Sequence, residues 1–140
     1  MEAAVSEFRK LLTDTNELHG WRIPEYVTEY ESRILAERLE QPNWRPEPSY
    51  AERFMQIRTR EQALNLANVC FFTRTVFPEL LERKGIQDSY YVQIGQSCYD
   101  RVLRDHDSQT LRIMRDHFEF LAEAAYTAIR HYGQFRSMWD

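Results

Sequence analysis

A chain of 140 residues is the size of one ordinary domain, and at that length folding buries roughly 68–70% of the surface that the unfolded chain exposes. With 43% hydrophobic and 29% charged residues and only four Gly and five Pro, the composition excludes collagens, flexible linkers and disordered chains. The formal net charge of −4 excludes a general nucleic-acid binder, because neutralising phosphates takes a basic surplus.

The positive charge is nevertheless of one kind. Sixteen Arg stand against Lys10 and Lys84, and Arg forks onto carboxylates, phosphates or aromatic faces where Lys does not. Cys70 and Cys98 lie inside apolar patterns, and no apolar stretch has signal-peptide or transmembrane length. A cytoplasmic protein with reduced thiols and no membrane partner is the expectation.

In chain order, an amphipathic helix is predicted near 2–13, with Val5, Phe8, Leu11 and Leu12 at spacings of three and four. A second starts at Pro24, a residue suited to a first helical turn, and reaches about Glu40. Pro42, Pro46 and Pro48 then bias the stretch around Trp44 toward an extended crossing. Ser49-x-x-Glu52 and Thr59-x-x-Gln62 match the capping box, predicting a short helix over 50–57 and a long one over 60–77. Pro78 should kink or restart the helix, which ends at Gly85 in the left-handed C-terminal role. Asp88 or Ser89 opens a helix to about Arg104; Asp105 to Ser108 breaks it and caps a last one over 109–131. With no hairpin turn and no sustained alternation of period two, the chain reads as one all-α domain over 1–140, a bundle of five to seven helices around a buried one near 60–77.

Helical wheels sharpen this reading. The 60–77 helix is apolar nearly all round, as a central helix must be. Gly95 falls inside the apolar arc of the following helix, where it costs about 1 kcal/mol relative to Ala. A close crossing against the face of Ala63, Ala67 and Cys70 accounts for it. The last helix presents an apolar half from Leu111 through Met114, Phe118, Leu121, Ala125 and Ile129 to Tyr132.

Val69-Cys70-Phe71-Phe72, Val76-Phe77-Pro78-Glu79-Leu80, Arg83-Lys84-Gly85-Ile86 and the run Tyr90-Tyr91-Val92-Gln93-Ile94-Gly95 together resemble a group of bacterial proteins of unassigned function. The resemblance covers about residues 50–103. It implies a bacterial, single-domain helical protein and brings no activity, cofactor or partner.

The search for chemistry is mostly one of exclusion. No Glu-x-x-His or His-Glu-x-x-His occurs, and His19, His106, His117 and His131 include no pair at i,i+3 or i,i+4, so no metal is expected. Four scattered Gly form neither a Walker loop nor a dinucleotide fingerprint, so no nucleotide cofactor is expected. Both cysteines read as inert core thiols. Two polar residues sit on apolar faces: Arg74, with Ala63, Ala67 and Cys70, and His117, between the directions of Leu121 and Ala124. A buried Arg demands a carboxylate, a carbonyl or a ligand anion, and Asp100 is the expected partner, with Glu79 or Glu82 as alternatives.

Two functions follow. The first is binding, through homo-oligomerisation such as a homodimer or as an accessory to another protein. The alternative is a pocket for a small anionic molecule, or an enzyme site, built on Arg74, Tyr90, Tyr91, Asp100 and His117.

Overall fold

Helices account for most of the chain, and several of their ends are set by a glycine or a capping hydroxyl. The structure is a computed structural model that describes residues 1–39 and 50–131; the proline-rich crossing with Trp44, the Ser49 cap and Tyr132 lie outside them. Among the described residues there are eight helices and no strand: α1 (Glu2–His19), α2 (Glu25–Leu39), α3 (Tyr50–Met55), α4 (Arg60–Val76), α5 (Pro78–Arg83), α6 (Asp88–Leu103), α7 (Gln109–Asp116) and α8 (Phe118–His131). The fold class is all-α, as the capping pattern predicts. The chain restarts at Pro78 as expected, and the count among the described residues exceeds the expected five to seven by one because the last predicted helix breaks at His117.

The chain divides into two compact units, one of residues 1–44 with 123–140 and one of residues 45–122. In the first, α1 and α2 form an antiparallel hairpin. α1 runs past its predicted end to Gly20, at φ 69. There the amide of Trp21 donates to the Asn16 carbonyl (2.9 Å) and that of Gly20 to Glu17 (3.2 Å), the bond pair of a Schellman cap. Polar contacts hold the helices in register, with Arg9 on Glu29 (3.1 Å), Arg33 on Glu2 (3.1 Å) and the Asn16 amide donating to the Thr28 hydroxyl (3.4 Å). Val5, Phe8, Leu11 and Leu12 of α1 and Val27, Ile34 and Leu35 of α2 are buried.

The second unit is built around α4, which packs on α3, α5 and α6. All seven residues from Val69 to Thr75 are buried, so the helix is enclosed on every side over its last two turns. Its start is fixed locally: the Thr59 hydroxyl accepts from the Gln62 amide (3.1 Å), and Gln62 Oε1 accepts from the amides of Arg58 (2.7 Å) and Thr59 (3.2 Å). Two amides at the helix start, those of Thr59 and Gln62, are thereby satisfied, together with that of Arg58 just before the cap. Thr59→Ala is expected to cost about 1 kcal/mol, to be measured by urea unfolding, whereas Thr59→Ser should leave stability almost unchanged.

At Pro78 the helix restarts with proline in its first turn, where a missing N–H costs nothing. α5 closes on Gly85, at φ 72, with Ile86 donating to Leu81 (2.9 Å) and Gly85 to Glu82 (3.0 Å). Ser108 caps α7 by accepting from the Leu111 amide (3.2 Å). The last predicted helix is in fact two. His117, at φ −121 and ψ 26, separates α7 from α8, and it is exposed instead of lying in an apolar half. A wheel drawn across 109–131 assumes unbroken phase, and the backbone resets that phase at His117.

Gly95 does mark a close crossing of α6 on α4, but its tightest neighbour is not the predicted one. A Cβ placed there would lie 2.4 Å from Phe118 Cε2 and 3.3 Å from Cys70 Cβ. Cys70 belongs to the expected face of α4; Phe118 arrives from the start of α8, directly after the His117 break.

Candidate functional site

The five residues singled out from the sequence do not converge. Tyr90 and Tyr91 open α6 and meet edge to face (5.0 Å between centroids), and Tyr91 meets Tyr50 of α3 in the same way (5.4 Å). The Tyr90 hydroxyl accepts from the Ala51 amide (3.0 Å), tying α6 to α3. Tyr91 is wholly buried, and desolvation, reinforced by Tyr50 and Tyr90, raises its hydroxyl well above the ordinary range. It is packed as an anchor and is not poised to give up a proton.

Asp100 lies nine residues further along α6, about 13 Å at the helical rise. It pairs with Arg115 of α7 (2.9 Å) and, more loosely, with Arg104 (3.9 Å). Arg115 also holds Asp116 (2.8 Å). The expected Arg74–Asp100 pair is therefore corrected: Asp100 is half-exposed and serves an α6–α7 contact, while Arg74 is 1% exposed. Burial of Arg74 follows from its place on the enclosed face of α4, but helical phase alone does not select its partner.

The two thiols are buried in the crossing region. Burial pushes Cys70 well above its usual value, with Cys98 adding to the rise, and pushes Cys98 up to about 12. Both are protonated at neutral pH, and the thiol is the unreactive form. Among the described residues no three His, Cys, Asp or Glu are grouped to hold a metal ion, and no described helix is long and apolar enough to cross a membrane.

A site that the sequence reading missed opens instead where α3 ends and α4 begins. It is a groove of about 210 Å³ lined by Arg53, Gln56, Ile57, Gln62, Asn65 and Leu66, with Met55 82% exposed at the end of the same α3 helix. The Arg53 guanidinium lies over the Tyr50 ring (5.3 Å), and Arg101 reaches in from α6 to donate to the Ile57 carbonyl (3.1 Å). One cation, three primary amides and two aliphatic side chains make a surface that bonds polar groups and has no group suited to bond breaking. The sequence held one signal for it: Arg53, Arg58 and Arg60 fall within eight residues of an otherwise acidic chain.

A second missed feature lies on α2. Val27, Glu31, Ile34 and Arg38 project within about 60° of one another on a helical wheel, so two charges interrupt an apolar stripe. Glu31 is 1% exposed and Arg38 4% exposed; Glu31 Oε2 makes no hydrogen bond, and burial holds the carboxyl well above the usual range. Compared with protein families, curated proteins and solved structures, the chain matches none, so the residues themselves carry the functional reading.

Proposed function

We propose that the protein works by binding another protein chain and not by catalysis. The observation that carries this reading is that the tyrosine hydroxyls at the start of α6, Asp100 and both thiols are already engaged or enclosed. The Tyr90 hydroxyl receives the Ala51 amide, Asp100 is held by Arg115, and Tyr91, Cys70 and Cys98 are buried and protonated. The α3–α4 groove, by contrast, offers accessible groups suited to hydrogen bonding and charge. Exposed Leu18, Met55 and Phe120 add apolar area of the kind that interfaces use. The partner is a second copy of the chain or another protein, and a reducing, cytoplasmic setting suits two unoxidised thiols.

Native mass spectrometry of the protein purified from its own host tests this reading. A mass of two or more chains is expected. A monomer that retains a small organic anion would overturn it in favour of the pocket reading.

A further inference from the structure

The groove at the start of α4 has the chemistry to say what kind of partner it receives. Arg101 is half-buried on α6, and among the described residues it makes no ion pair; its one hydrogen bond goes to the Ile57 carbonyl. A guanidinium carries five N–H donors, so a cation that is costly to withdraw from water is held beside the groove with most of its donors unspent on protein. Arg53 lines the same groove from α3. Ile57, whose carbonyl Arg101 holds, lines the groove together with Arg53, so residues far apart in sequence bring positive charge to one place. Arg58 donates to the same Ile57 carbonyl (3.4 Å) and adds a further guanidinium. In a chain of net charge −4, this is a local basic site that calls for an anion.

Size and the remaining lining choose among anions. A volume of about 210 Å³ lies below the roughly 300–1,000 Å³ of pockets that enclose cofactors and other small molecules. It holds about one side chain. Gln56 has both its amide donor and acceptor available at the surface, and Gln62, whose oxygen is consumed by the cap, keeps its NH2 group. Primary amides reproduce the donor and acceptor pattern of a peptide bond, so they suit an extended main chain. Ile57 and Leu66 fit the methylenes of an acidic side chain, and exposed Met55 offers the adaptable apolar contact that such surfaces use.

We infer that the α3–α4 groove receives an acidic peptide segment of a partner protein, with an Asp or Glu carboxylate held by Arg53 and Arg101 and the peptide main chain bonded by the amides of Gln56 and Gln62. The inference rests on the binding role proposed above. The preference for Arg follows, since a guanidinium engages a carboxylate through two parallel bonds and an ammonium does not.

Fluorescence anisotropy with two labelled, acetylated and amidated peptides tests it: one of alternating Ala and Glu, the other with Gln in place of every Glu. The Glu peptide is expected to bind and to weaken as salt rises, the Gln peptide to bind about tenfold or more weakly, and Arg101→Gln and Arg53→Gln each to lose about tenfold or more. Arg101→Lys should recover only part of that loss, and Arg130→Gln, outside the groove, none of it should appear. Thermal melts establish that each variant is folded. Equal binding of the two peptides, binding unchanged in Arg101→Gln, or no binding of the Glu peptide overturns the inference. So does complete displacement of the peptide by equimolar glutarate or inorganic phosphate, which would make the ligand a small anion. A native complex that persists in Arg101→Gln removes the groove from the interface and leaves the binding role standing; absence of any complex in the unaltered protein removes the role itself.

Discussion

Gly95→Ala is expected to destabilise the protein, although alanine is the better helix former. At an exposed position the exchange would gain about 1 kcal/mol from propensity. At Gly95 the new Cβ would stand 2.4 Å from Cε2 and 2.6 Å from Cζ of Phe118, far inside contact distance. That ring has nowhere to go: it is wholly buried, edge-on to Phe71 (5.4 Å) and tilted against Tyr99 (6.1 Å). Cys70 Cβ, at 3.3 Å, closes the other side. Overpacking of this kind costs about 1–3 kcal/mol or more, so after the propensity gain a net loss of up to about 2 kcal/mol is expected for Ala and a larger one for Leu. Because the clash is with one side chain, Phe118→Leu should be less harmful in the Gly95→Ala background than alone, and a double-mutant cycle measured by urea unfolding reads that coupling. A rise in melting temperature on Gly95→Ala would show that the glycine is there for no packing reason.

Removing a charge-bearing group should have the opposite sign at Glu31. Its carboxyl is buried, its Oε2 lacks a hydrogen bond, and burial raises its folded pKa well above the unfolded value of about 4.3. The unfolded chain therefore releases this proton before the folded one does. Stability is greatest below the unfolded pKa and falls as pH rises toward the folded pKa, at about 1.4 kcal/mol per pH unit while the two states differ by one proton. Glu31→Met keeps the shape and deletes the polar end, so it should stabilise by about 1–3 kcal/mol near pH 4.5, where the native group is neutral, and by more near pH 7.5. Glu31→Gln leaves a polar group but no titration, so its gain should appear only as pH rises. Urea unfolding at the two pH values separates the two effects. A gap between Glu31→Met and the natural chain that stays constant with pH would mean that the carboxylate ionises in place.

How much of this was legible beforehand depends on the range of the forces involved. Thr59, Gln62, Ser108 and Gly85 act within five residues of themselves, and all take the predicted roles. The enclosed nature of α4 was legible because apolar residues point in every direction, which allows no solvent face. Glu31 and Arg38 were legible in principle as charges in the Val27–Ile34 stripe. Asp100 and His117 were misplaced for different reasons, one because Arg115 competes for it across a turn, the other because a helix wheel has no means of showing a break.

Local pattern thus determined by itself that the chain is helical, where most helices start and stop, which helix is central, and that Gly95 sits at a crossing. Tertiary structure alone decided that Phe118 fills the space above Gly95, that Asp100 goes to Arg115, and that Arg101 reaches the Ile57 carbonyl 44 residues away. The division follows from geometry. A cap or a turn closes over three to five residues, so its partners are fixed by spacing, whereas two side chains on different helices meet only after the phase and crossing angle of both are set, and those depend on how the whole core packs.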